Sequence, residues 1–353
     1  MPDVEAPAKA AITRISKVRP NQINHSVSLA DLQTILILSR SPASYHCFAS
    51  RPLTKGCIYL MNSVKISGKV SPFSYEFGYL CFRIMVLALG ACLLNDQGQL
   101  ESVMTDMATD QKKLLAHMFS SRVAILIEDA VNHGGGRGRE TYNCILGWSQ
   151  CQDHPKIEEI ISTTDTGLLL ALLWGDREQF LQVIPSTLSP GPCGVMYTLW
   201  RYIVYQRHRQ EISESEVKKL TLHYTDLLWR AQFSATLNQR NAFCLLHSWN
   251  HHGFKLWDNT PKCINTEDSR MVVKVLGRQM LDLGTSIALA NISTALNYIY
   301  HHLTSIIDCE DEIPALIVGV IRQMWFYFLQ CKSSEEEVAI VVVISEAFDW
   351  LRS

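Results

Sequence analysis

The 353 residues carry 32 Lys+Arg against 34 Asp+Glu, a formal charge of -2, and 47% of them are hydrophobic. A chain of this length can bury a sizeable core without covalent staples, and its near-neutral charge gives no long-range pull on nucleic acid or anionic membranes. The mean hydropathy of +0.04 is high, yet no segment reads as a membrane span of about 20 apolar residues. Ile84 to Leu94 is too short, and Leu283 to Ile307 is broken by Thr285, Ser286, Asn291, Ser293, Thr294 and Asn297. The N-terminus lacks a signal-type apolar core, and Asp3 and Glu5 argue against a mitochondrial presequence. The 11 cysteines are scattered, with no pair separated by two residues, which excludes zinc ribbons, zinc-cluster DNA-binding modules and dithiol redox motifs. Together these features place the expected location inside the cell, in cytoplasm or nucleus.

Residues 1–26 hold Pro2, Pro7 and Pro20 among mixed charges and read as a flexible arm. Ser28 with Asp31 three residues on then caps a helix over 28–39 in which Leu29, Leu32 and Leu36 keep helical spacing until Ser41-Pro42. Cys57, Leu60, Met61 and Val64 fit a short helix ending before Gly68, although Ile58-Tyr59-Leu60 would also suit a strand. Ser71 followed by Pro72 predicts a helix start, because proline has no N–H to lose there and its φ is already set, and the helix should run over 72–94. Apolar residues occupy nearly all its positions, so it is expected to be buried on several sides. Lys112 to Asn132 continues in the same manner and ends at His133-Gly134-Gly135-Gly136.

Farther on, Ser213 with Glu216 and Ser334 with Glu337 have the spacing of capping boxes. The second precedes Val341, Ile344, Phe348 and Leu351, where helix is preferred to strand because the acidic first turn suits the helix dipole. Helices are also predicted over 166–174, 177–184, 195–207, 238–250, 267–283, 285–307 and 314–330. The class is therefore all-α, with roughly a dozen helices in an irregular bundle or an armadillo/HEAT-like α-solenoid. Residues 27–353 read as one helical domain, with any subdivision at the Gly-rich loop 133–139.

Few motifs point to chemistry. His133-Gly134-Gly135-Gly136 resembles an oxyanion-hole glycine run, but the required Gly-x-Ser-x-Gly is missing, since Gly147-Trp148-Ser149-Gln150-Cys151 lacks the last glycine. Arg137 and Arg139 make that loop basic, but dinucleotide and P-loop fingerprints are incomplete. There is no Asp-Asp pair of the kind a magnesium-dependent terpenoid cyclase needs, and Asp308, Asp311 and Glu312 read instead as carboxylates at a helix N-terminus before Pro314. The best metal-ligating set is Cys244, His247 and His251, which share one helix face. Ordinary packing competes with that reading, as it does for Cys144, Cys151 and His154. Trp249, His252, Phe254 and Trp257 cluster next to a turn and offer a groove for a ligand or partner. Trp174, Trp200, Trp229, Trp325 and Trp350 fall within helical patterns and read as core.

The expected function is a non-catalytic intracellular helical scaffold or regulatory module that binds protein, without cofactor, nucleic acid or membrane. The alternative is a small-molecule-responsive regulatory domain, for instance in transcription. The third reading is a metal-dependent enzyme built on Cys244, His247 and His251.

Overall fold

The computed structural model describes residues 5–68, 71–110, 114–134, 145–148, 158–183, 191–209, 212–235, 237–248, 265–282, 289–302, 309–331, 333, 337, 338, 340–342, 344 and 345. The fold is all-α: 81% of it is helical, and no strand occurs among the described residues. Both β-branched stretches that left a strand open are helical where described, Ile58 to Leu60 and residues 337, 338, 340–342, 344 and 345.

The chain divides into two compact units: Met1–Ala231 with Asn238–Leu246, and Gln232–Leu237 with His247–Ser353. The Gly-rich loop 133–139 thus falls within the first unit. The N-terminal segment departs from the expected flexible arm. Residues Glu5–Ile15 form helix α1, with Ala8, Ala11 and Ile15 fully buried. Small residues at spacings of three and four give α1 a narrow apolar face that can approach its neighbours closely, a signal the nearby prolines and charges obscured.

Helix α2 (Leu29–Leu38) has the predicted box. Ser28 Oγ accepts from the Asp31 N–H, and the Asp31 carboxylate accepts from the Ser28 N–H. A 3-10 turn over Pro42–Phe48 follows, anchored by the fully buried Tyr45 and Phe48. Helix α3 (Arg51–Gly68) starts earlier than its apolar period indicated. Pro72 starts a 3-10 turn over Pro72–Ser74, and the long helix α4 (Glu76–Asp96) begins only after extended Tyr75. The turn folds back on α4 so tightly that a Cβ at Gly78 would lie 2.1 Å from the Pro72 carbonyl oxygen.

Helix α4 is the centre of the first unit. Its side chains from Leu80 through Leu94, Arg83 excepted, are buried, and it packs against α2, α3, α5 (Leu100–Thr109), α6 (Leu115–Gly134) and α9 (Cys193–Arg209). Such a hub, touched by helices distant in sequence, is a bundle feature, because in a solenoid each repeat contacts only its neighbours. Helix α5 was not anticipated. Leu100, Val103 and Met107 form its buried face after Gly98 turns the chain at φ 67°.

Helix α7 (Thr163–Gly175) packs on α3 and α9 and leads through Asp176 into α8 (Arg177–Val183). Helix α10 (Glu214–Phe233) begins with the predicted Ser213–Glu216 box, and α11 (Arg240–Ser248) follows. The second unit holds α12 (Thr266–Leu281), α13 (Leu289–His302) and α14 (Ile313–Gln330), each packed on the other two.

Among the described residues, two helices, α4 and α14, are long and apolar enough to cross a membrane by length and composition. This corrects the expectation that no segment qualifies, which rested on ending the α4 pattern at Leu94 and on reading α14 as an ordinary packed helix. In α4, 83% of the qualifying window is buried inside the protein, whereas in α14 the share is 28%.

Candidate functional site

The second unit presents the most distinctive surface among the described residues. Pro314 sits in the first turn of α14, where its missing N–H costs nothing. The preceding acids do more than favour the helix dipole: Asp311 pairs with Arg270, and the Glu312 carboxylate lies 3.7 Å from Lys274 Nζ, both on α12. Leu316, Gly319, Val320, Gln323 and Met324 are buried. Gly277 lies beside Leu316 and Gly319 beside Met280, so α12 and α14 run in the same direction at close range. A Cβ on Gly319 would lie 2.6 Å from Met280 Cβ. Deeper along the seam, buried Gln323 donates from Nε2 to the Met280 carbonyl at 2.9 Å. That bond uses a carbonyl of the last turn of α12, which has no intrahelical partner.

The opposite face of α14 is also apolar, and it is uncovered. Val318, Ile321, Trp325, Phe328 and Leu329 are 48%, 58%, 60%, 53% and 68% exposed. Their spacing of three and four residues puts them on one stripe. The rings of Trp325 and Phe328 stack at 5.7 Å with 22° between their planes. Trp325 is therefore not the core residue its helical period implied, whereas Trp200 and Trp229 are buried as expected. Val338, Val341 and Val342 of the same unit are exposed as well.

The residues singled out from sequence fare differently. Cys244 and His247 lie on α11, as their spacing required, and burial pushes His247 down to about 3, so its imidazole is neutral. His251 lies outside the described residues, as do Trp249, His252, Phe254 and Trp257 of the expected groove, and Cys144, Cys151 and His154.

In the first unit, an open cleft of about 530 Å³ is lined by Arg51, Lys55, Tyr59, Glu158 and Glu159, among others. One of its two cations is already engaged. Arg51 donates to both carboxylate oxygens of Asp96 at 2.9 Å and to the Glu158 carbonyl at 3.3 Å. Burial raises Asp96 despite that partner. The cleft is neither enclosed nor apolar, so it lacks the character of a ligand-sensing cavity.

A buried polar cluster also lies in the first unit. Asp226 and Arg230 on α10 are both fully buried and joined by contacts of 3.1 and 3.2 Å. Arg177 stacks over Trp174 at 4.3 Å, and Trp174 in turn stacks on His223 at 4.0 Å. Burial, then Lys219, push His223 down to about 4. Arg230 Nη1 donates to the Arg177 carbonyl at 2.9 Å, and Arg177 Nε lies 4.0 Å from the Asp226 carboxylate, so this cluster fastens α8 to α10.

No protein-family model, no curated protein and no solved structure matches the chain.

Proposed function

We propose that the protein is a non-catalytic helical interaction module that holds the apolar face of an amphipathic helix of a partner protein against the exposed face of α14. One observation carries this reading: the uncovered stripe Val318, Ile321, Trp325, Phe328 and Leu329 on a helix whose other face is fully packed. Taking 150–250 Å² for a large aromatic side chain, these five residues present roughly 500 Å² of apolar surface. That reaches the upper range of patches on monomeric proteins, where such surface marks interaction sites. Tryptophan at the centre of a stripe is the residue most often found as an interface anchor.

A protein surface suits the stripe better than a lipid one. An interfacial membrane helix carries Lys and Arg along its flanks, whereas α14 has Arg322 alone and is preceded by Glu310, Asp311 and Glu312. Its packed neighbour α12 carries Arg270, Lys274 and Arg278, which oppose immersion of the pair. No disulfide joins two of the eight described cysteines, which accords with a reducing compartment, cytoplasm or nucleus.

A photo-crosslinking side chain placed at Ile321 or Leu329 tests the proposal, with Lys218 on α10 as control. Supporting the proposal are discrete protein adducts from the two α14 positions that are absent at the control and lost in Trp325→Glu, with the adduct peptide mapping to an amphipathic helix. Equal labelling at the control position would overturn it. So would vesicle co-sedimentation that Trp325→Glu abolishes, because the face would then be serving lipid.

A further inference from the structure

Where the N-terminus of α1 meets the 3-10 turn over Pro42–Phe48, the Glu5 carboxylate, the His46 imidazole and the Cys47 thiol bring their ligand atoms within 4.8 Å of one another. Separate hydrogen bonds settle the chemistry of the imidazole. His46 Nδ1 lies 2.6 Å from the Ala43 carbonyl oxygen, which can only accept, so Nδ1 carries a proton and Nε2 is the nitrogen left to offer a lone pair to a metal. Nε2 faces Cys47 Sγ at 3.4 Å.

A ring nitrogen held by a backbone carbonyl on its far side is the arrangement that orients metal-binding histidines and fixes their tautomer. With zinc–sulfur near 2.3 Å and zinc–nitrogen near 2.05 Å, a tetrahedral centre separates its sulfur and nitrogen ligands by about 3.6 Å, and the pair already stands at 3.4 Å. The support is rigid, since Tyr45 and Phe48 on either side of the two ligands are fully buried. The exposed Glu5 carboxylate pairs with Lys9 at 2.5 Å. A surface pair of this kind is worth about 0–1 kcal/mol, so a divalent cation can displace it.

We infer that Glu5, His46 and Cys47 form a surface site for one divalent transition-metal ion of borderline softness, zinc foremost, with a fourth position left to water or to a donor from another molecule. Thiolate, imidazole and carboxylate together favour zinc over magnesium or calcium, which take oxygen ligands. On binding, the Cys47 S–H proton leaves to solvent and the thiolate joins the metal, so affinity rises with pH. The site is separate from the α14 face and stands whether or not that face binds a partner.

The test uses the full chain, purified under reducing conditions, and titrates it with zinc chloride or cobalt(II) chloride. Cobalt reports directly on sulfur ligation through a thiolate-to-metal charge-transfer band. The expected result is a saturable site whose charge-transfer band disappears in Cys47→Ser, and whose zinc affinity falls by about tenfold or more in His46→Ala and less in Glu5→Gln. Thermal unfolding of each metal-free variant should match the parent, because the three side chains contribute to surface rather than core. His247→Ala should leave the band intact. The inference is overturned if zinc and cobalt uptake is unchanged in both Cys47→Ser and His46→Ala, or if His247→Ala abolishes it.

Discussion

The Asp226–Arg230 pair offers the sharpest energetic test of the first unit. Both side chains are fully buried, with Arg230 Nε 3.2 and 3.1 Å from the two Asp226 oxygens. Arg230 also donates from Nη1 to the Arg177 carbonyl at 2.9 Å, so it ties α10 to the start of α8. Arg177 adds a second guanidinium, 4.0 Å from the same carboxylate. Asp226→Ala would remove the buried carboxylate that the Arg230 and Arg177 guanidiniums share. Breaking a buried pair by removing one partner costs about 3–5 kcal/mol, most of it the desolvation of the charge left behind. At about 2–4 °C per kcal/mol for a unit of this size, the melting temperature should fall by roughly 6–20 °C. Asp226→Asn keeps an acceptor but removes the charge, and should fall between parent and alanine variant. The double variant Asp226→Leu with Arg230→Met replaces both charges by apolar groups and should recover most of the loss. Urea and thermal unfolding at pH 7 of the parent, Asp226→Leu, Arg230→Met and the double variant measure this as a double-mutant cycle, with Asp226→Ala and Asp226→Asn measured alongside. A loss under about 1 kcal/mol in Asp226→Ala, or strict additivity in the double variant, would refute the claim that the pair is a coupled buried unit.

The remaining expectations concern pH and the α12–α14 seam. An unfolded histidine protonates near 6.5, whereas burial and then Lys219 hold folded His223 down to about 4. Between those values the unfolded chain binds a proton that the folded chain refuses. The stability is therefore fully present above pH 6.5 and declines as pH falls toward 4. His223 is only half-buried, so the contribution is on the order of 1 kcal/mol after screening. His223→Phe should flatten the difference between urea midpoints at pH 7 and pH 5, and an unchanged slope would contradict the assignment. Gly319→Val should destabilise by about 1–3 kcal/mol or more, because its new Cβ meets the Met280 Cβ at 2.6 Å and the Met280 backbone carbon at 3.0 Å. A melting temperature unaltered by this change would mean that the helices are not held at the separation described.

Signals confined to one turn of chain were legible in the sequence. Ser28 with Asp31 and Ser213 with Glu216 form the predicted reciprocal hydrogen bonds, because a capping box needs only residues three apart. The Ser162–Asp165 cap of α7 has the same signature and could have been found in the same way. Helix α1 was missed because its buried face is built from Ala8 and Ala11, which carry little hydropathy, beside conspicuous charges. The α14 stripe was misread for a different reason. A helix apolar all round signals burial on several sides, and α4 fits that rule while α14 does not. Periodicity reports which residues are apolar and is silent on what covers them. The Glu5–His46–Cys47 cluster was not anticipated, because its carboxylate is brought to the His46-Cys47 pair only by tertiary placement.

The contrast between α4 and α14 bears on how firmly a partner would be held. Five large side chains left in water on α14 represent roughly 500 Å², which at about 25 cal/mol per Å² is on the order of 12 kcal/mol of burial not used in folding. That is comparable with the whole net stability of a typical domain, about 5–15 kcal/mol, so covering the stripe would be a major event for this unit. Association itself costs about 4–15 kcal/mol in lost freedom, which consumes much of the gain. Binding through this stripe alone should therefore be reversible and governed by its anchor. Trp325, the largest of the five and stacked on Phe328, should dominate, with Trp325→Ala weakening the complex by about 2–4 kcal/mol. Val318→Ala, at the edge of the stripe, should weaken it by less than about 1 kcal/mol. Equal losses at the two positions would show that the energy is spread along the helix, and the anchor argument would fail even if the face binds protein.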